Sequence, residues 1–147
     1  MGAMPLLKST LVVTLSLLAA PAIALADEPA ILTGTVTHVR DGDTIEVGKV
    51  PIRLNGVSAP ELKEPLGKTS KKFMRDLVLG KPIRCELNGK KTYDRLVGTC
   101  YLDDEDIGIA IISAGLALDC PRYSGGRYSE HEVAEAQDQI KLPGYCQ

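Results

Sequence analysis

The stretch ILTGTVTHV, residues 31–39, alternates apolar and polar positions and is rich in β-branched side chains, which predicts a strand. Asp41-Gly42-Asp43 follows as a tight-turn signal. Thr44–Val47 resumes the strand pattern, Gly48-Lys49 turns again, and Val50–Val57 reads as a third strand, so the first part of the domain is a meander. Then the period changes. Over Glu64–Leu79, Phe73 and Leu77, with Met74 and Val78 one face over, recur at helical spacing, while Lys68, Lys71, Lys72, Arg75 and Asp76 fall outside the apolar stripe. Gly80 and Pro82 stop that helix. Pro82–Leu87 and Leu96–Leu102 return to strand character on either side of NGKKTYD. Asp106 can cap a short apolar helix, Ile107–Ala114, ended by Gly115. Ser129 opens a last helix, Ser129–Gln139, with Glu132 in the capping-box position.

The predicted order is β-β-β-α-β-β-α-α. Five short strands with a helix inserted after the third suit a mostly-β α+β domain on a small closed barrel of the oligonucleotide/oligosaccharide-binding (OB) type, with three helices. There are no internal repeats.

The chain ahead of this domain has a different character. Lys8, the apolar run Leu11–Ala20 and the small-x-small triplet Ala24-Leu25-Ala26 have the form of a secretory signal peptide cleaved before Asp27. The expectation is therefore a leader over residues 1–26 and a single domain over 27–147, in the periplasm or secreted, with no membrane attachment after cleavage. Removing 26 of 147 residues leaves 121, enough for one core. All four cysteines lie in that part, an even number in an exported chain, so two disulfides are expected. Three pairings are open. The strand reading favours Cys85–Cys100, which leaves Cys120–Cys146 to tie the tail to the body. A zinc site is a poor alternative, because no C-x-x-C occurs and His38 and His131 are the only histidines. Neither histidine is assigned a role. The net charge is −2, and losing Lys8 makes it −3, so any polyanion must be met by local basic residues.

Such residues exist. Asp43 opens the second strand, Arg53 lies within the third, Glu61 follows its end, and Arg95 begins the fifth. Two guanidiniums and two carboxylates sharing one pocket are what phosphodiester hydrolysis requires: a carboxylate to deprotonate or orient water, and planar forks to meet the charge that develops on the equatorial oxygens. Each residue also has a plainer reading: Asp-Gly-Asp as a turn, Arg53 and Glu61 as a loop salt bridge, Arg95 beside Asp94 as a solvated strand end. Tyr93 and Tyr123 are candidates for stacking on bases, and Arg122 and Arg127 for phosphate contact. Lys63, Lys68, Lys71, Lys72, Lys90 and Lys91 form either a basic rim or ordinary solvated surface. DDED, residues 103–106, reads as a turn and helix cap, since it lacks EF-hand ligand spacing.

VRDGDTIEV, IRLNGVSAPE and YDRLVGTCYL, with GLAL at 115–118 and EAQ in the last helix, resemble the staphylococcal nuclease (thermonuclease-like) family over about Ile31 to Gln137. The resemblance implies the same five-stranded OB barrel with three helices, and cleavage of DNA and RNA, in the best-known case with Ca²⁺. It implies that Arg53, Glu61 and Arg95 are catalytic, and that Asp43 holds a cation or positions water. The family's second calcium aspartate falls on Ser58, leaving Asp43, the Ala59 carbonyl, waters and Glu61 as the donors of a weakened metal site. The expectation is a low-specificity nuclease acting on DNA and RNA, single strands preferred, as a monomer. No cofactor is strictly required, and Ca²⁺ remains possible through the resemblance alone. Two alternatives stay open: a catalytically inactive OB module that binds nucleic acid, and an OB domain for an oligosaccharide.

Overall fold

The meander forms, and it bends until it closes on itself. The computed structural model describes residues 1–3 and 28–147; the predicted leader lies, beyond its first three residues, outside them. The first strand, β1 (Ala30–Asp41), is long enough to serve two neighbours. Its first half pairs antiparallel with β5 (Pro82–Thr92) and its second half with β2 (Thr44–Val47). Register irregularities between Val36 and His38 and between Val39 and Asp41 give the strand the local bend this requires. β2 pairs with β3 (Val50–Leu54), β3 runs parallel to β6 (Arg95–Leu102), and β6 returns antiparallel to β5. The five strands therefore form a closed cycle, an OB-type barrel that leaves none of the five without a partner on either side. Ile45 and Ile52 are fully buried in its core, as are Met74 from α1 (Gly67–Val78) and Ile111 and Ile112 from α2 (Ile107–Ser113).

Local differences from the predicted elements have identifiable causes. α1 begins at Gly67 rather than Glu64, because Pro65 biases the residue before it away from the helical region and Leu66 is left-handed at φ 66°. The third strand ends at Leu54. Asn55-Gly56 turns the chain into a separate two-residue strand, β4 (Val57–Ser58), which pairs with β8 (Leu118–Asp119). NGKKTYD is not a plain connection. β5 runs on to Thr92, with two extra residues accommodated between the pairs Leu87↔Gly98 and Lys91↔Leu96. Asp103 and Asp104 both have positive φ in the two-residue turn from Leu102 to β7 (Glu105–Asp106), a conformation that aspartate tolerates. Asp106 caps α2 by accepting from Gly108 N at 2.8 Å.

The expected last helix is divided. A 3₁₀ turn covers Ser129–His131, and α4 starts only at Ala134, running to Gln139. A four-residue helix, α3 (Pro121–Ser124), precedes them, giving four α-helices among the described residues where three were expected. The capping box does not form. Glu132 is extended, and its carboxylate accepts instead from Asp119 N at 2.7 Å, a tertiary bond that stops the helix from growing through it.

Both expected disulfides are present. Cys85 and Cys100 face each other across β5 and β6, and Cys120 at the head of α3 holds Cys146 in the C-terminal 3₁₀ turn. Among the described residues no helix is long and apolar enough to cross a membrane. Replacing Cys85 and Cys100 together by alanine is expected to lower stability by about 2–4 kcal/mol, since the bond closes a loop of 15 residues within the core. Urea denaturation under non-reducing conditions reads this directly.

Candidate active site

One open cleft of about 570 Å³ gathers most of the chemistry singled out in the sequence. Arg53 reaches it from β3, Arg95 from the start of β6, and Glu61 from the segment after β4. Arg53 pairs in register with Val97 of β6, and Arg95 lies two residues earlier on the same strand, so both arginines project from one side of the parallel β3–β6 pair. The barrel's closing seam thus builds the cleft.

Behind the arginines stands Asp43, 6 % exposed and outside the cleft lining. Its carboxylate contacts the Arg53 guanidinium, accepts from Thr44 Oγ1 at 3.2 Å, and accepts from Ala59 N at 2.9 Å. Thr44 in turn accepts from Arg95 Nη1 at 3.0 Å. A single chain of largely buried polar contacts therefore aligns both guanidiniums and anchors the backbone at Ala59, just after β4. Burial is the main influence holding the Arg53 guanidinium below its ordinary pKa. Tyr145, Asp41 and Glu61 oppose that shift, while the like charge of Arg95 adds to it. A partly desolvated cation beside a second cation gains most when an anion enters the cleft.

Glu61 is exposed at the cleft, and its backbone is pinned from both sides. Its N–H donates to Glu64 Oε2 at 2.7 Å, and its carbonyl accepts from Glu64 N at 2.8 Å. Gly67, at the start of α1, packs so closely that a Cβ there would collide with the Glu61 carbonyl. Gly42 has the same role across the barrel mouth, where a Cβ would strike the Ser70 hydroxyl and Ala59. Both glycines exist for close approach rather than for a positive φ.

The other candidates divide. Tyr93 lines the cleft from the β5–β6 turn, 95 % exposed and held at φ 57°, an uncommon conformation for a bulky residue, with the Arg95 guanidinium 5.9 Å from its ring. Tyr123 lines it from α3. Arg122 is exposed on α3 but is not part of the lining. Arg127 is drawn elsewhere: Nε and Nη2 donate to Asp106 Oδ2 at 3.1 and 2.9 Å, and Nη2 donates to the Tyr101 hydroxyl at 3.1 Å. Lys90 and Lys91 reach the rim on the irregular part of β5, whereas Lys63, Lys68, Lys71 and Lys72 do not line the cleft. Three contributors escaped the sequence reading: Thr44, Asn55 and Tyr145. Asn55 donates to the Tyr123 carbonyl at 3.1 Å and accepts from Asn88 at 3.2 Å, joining the cleft floor to α3 and β5. An Asn-Gly pair inside an apolar run was the available signal for it.

With this geometry in place, the sequence can be compared with known proteins. The family profile described as “Staphylococcal nuclease homologue” matches residues 51–142. The chain belongs to the staphylococcal nuclease homologue family. It is 36 % identical over 131 residues to a succinoglycan biosynthesis protein, ExoI, of Rhizobium meliloti, covering 81 % of this chain and 64 % of that one. An uncharacterized endonuclease of Haemophilus influenzae is 31 % identical over 97 residues, covering 63 % of this chain and 54 % of the relative. A probable endonuclease, LCL3, of Pyricularia oryzae is 28 % identical over 109 residues, covering 65 % and 42 %. The chain spans between about two fifths and two thirds of the length of these relatives.

The calcium that the family implies can be tested against the donors present. Calcium takes about six to eight oxygens, several of them anionic. Asp43 is already engaged by Arg53, Thr44 and Ala59, and it is the Ala59 N–H rather than its carbonyl that meets Asp43. Position 58 supplies a hydroxyl on a residue only 2 % exposed, inside the β4–β8 pair. Among the described residues no group of three or more His, Cys, Asp or Glu is placed to hold a metal ion. These donors do not fit a calcium site.

Two substitutions separate alignment from stability. Thr44→Val keeps the shape but removes the bridge between Arg95 and Asp43, and is expected to lower kcat/KM on an oligonucleotide by about 10- to 100-fold through misalignment. Arg127→Ala leaves the buried Asp106 without its charged partner. It should cost about 1–3 kcal/mol of stability in chemical denaturation while cleavage rates stay near those of the parent.

Proposed function

We propose that this chain is an exported, monomeric nuclease that hydrolyses DNA and RNA with low sequence specificity, prefers single strands and does not strictly need calcium. The observation that carries the reading is the convergence of Arg53, Arg95 and Glu61 on one open cleft, with the arginines aligned by a common buried network. In this reading Glu61 accepts a proton from the attacking water as the new P–O bond forms. Arg53 and Arg95 bind the nonbridging oxygens and strengthen their hold as charge accumulates there and the bond to the leaving oxygen breaks. Asp43, buried behind the cleft lining, acts in this reading as a positioning residue for Arg53 and, through Thr44, for Arg95.

The finer points rest on separate supports. Guanidinium, ammonium and tyrosine groups meet phosphates and base faces that every nucleotide shares, which supports low specificity. Exposed rings favour bases that are already unstacked. A leader-like sequence at 1–26 and two disulfides support export to the periplasm or beyond. Reduced calcium dependence follows from the arginines supplying positive charge where position 58 no longer offers a carboxylate.

Digestion of single-stranded DNA, run in parallel with EDTA, calcium and magnesium, tests the proposal. Cleavage should survive EDTA. Cleavage only with calcium would overturn the metal-independent part. Glu61→Gln and Arg95→Ala should each lose at least about 100-fold in rate while keeping the parent's circular dichroism, and a parental rate in either would remove that residue from the mechanism. Tight binding with no cleavage in any condition would identify a non-hydrolytic binding module.

A further inference from the structure

The described residues include six aromatic side chains, and their exposure is uneven. Tyr93, Tyr123 and Tyr145 are 95 %, 46 % and 55 % exposed, while Phe73 and Tyr101 are partly covered and Tyr128 is buried. All three exposed rings line the same cleft as Arg53 and Arg95. An exposed aromatic is unremarkable singly, but three around one basic cleft form a surface for flat, weakly hydrated groups.

Tyr145 is set apart from the other two. It lies beyond residue 142, where the match to the family ends, so nothing in that match accounts for it. It sits in the C-terminal 3₁₀ turn Gly144–Cys146, whose neighbour Cys146 is fully buried and bonded to Cys120. Cys120 opens α3, donates its own N–H to the Gly56 carbonyl at 2.8 Å and also lines the cleft. The bond thus ties the turn Gly144–Cys146 to the floor of the cleft, and the residue beside it is a tyrosine. Tyr145 lines the same cleft as Arg53 and Arg95, which puts its ring within the site proposed to hold the phosphate.

We propose that Tyr145 is a substrate-binding residue that stacks on the nucleotide next to the scissile phosphate, and that the Cys120–Cys146 bond exists to hold it there. This rests on the cleft being a nucleic-acid site. Stacking of a base on an aromatic ring contributes roughly 1–3 kcal/mol, whatever the base. The tail would add affinity without adding sequence preference.

The test is fluorescence anisotropy with two labelled oligomers of equal length, oligothymidylate and an abasic deoxyribose-phosphate chain. It is run on the full mature chain carrying Glu61→Gln so that substrate stays intact. Adding Tyr145→Ala should weaken oligothymidylate binding by about tenfold, from the stacking energy above. Abasic binding should change by no more than about twofold, because phosphate contacts persist. Tyr145→Phe, which keeps the ring, should bind as the parent does. Cys120→Ser with Cys146→Ser, leaving Cys85–Cys100 intact, should reproduce the Tyr145→Ala result. Equal losses on both oligomers, or none, would overturn the stacking role. Parental binding by the cysteine pair variant would overturn the role of the bond. Failure of the Glu61→Gln chain to bind either oligomer would instead remove the nucleic-acid reading, and this inference with it.

Discussion

Two guanidiniums held side by side repel each other, and the buried carboxylate of Asp43, against Arg53 and linked through Thr44 to Arg95, is the group that ties them together. It meets Arg53 directly and Arg95 through Thr44, while also accepting the Ala59 N–H. A buried carboxylate with this many donors is compensated for the water it has lost; with one donor removed it would be a liability. The same group therefore joins β2, β3, the start of β6 and the turn before Glu61. Disturbing it would act on both arginines of the cleft.

That network needs the barrel to close. β3 and β6 come from distant parts of the sequence, and they meet in parallel because β1 is long enough to pair with both β2 and β5. Closure brings Arg53 and Arg95 to one side of a seam. The extra residues in β5 then carry Lys90, Lys91 and Tyr93 over the rim. A strand irregularity beside a reactive cleft re-aims side chains without breaking the ladder on either side. The second disulfide and the Asn55-Gly56 turn complete the floor from the C-terminal half.

By the resemblance set out above, position 58 is where the family's second calcium aspartate falls, and this chain has Ser58 there. A carboxylate there would add a second anionic ligand near Asp43; a buried hydroxyl adds none. With one fewer negative charge to balance, the two arginines leave the cleft more positive toward an incoming phosphate.

Strand alternation, turn residues and helical periodicity determined most of the architecture from the sequence, since these are local consequences of backbone geometry. The motifs around Asp43, Arg53, Glu61 and Arg95 likewise singled out side chains that the fold brings together, three in one cleft and Asp43 behind them, and even cysteine number with strand order pointed to both disulfides. Other features came from contacts between distant segments. Arg127 had a sequence context suited to phosphate, yet buried Asp106 holds it, because a desolvated carboxylate is a stronger attractor than open solvent. Glu132 had the spacing of a helix cap, yet Asp119 N–H claims it and the helix divides. Tyr145 reads as an ordinary residue late in the chain, and only the folded structure places it in the cleft, beside the bonded Cys146. Which of several satisfactory partners a side chain takes depends on who is near in space, and that is decided only when the chain has folded.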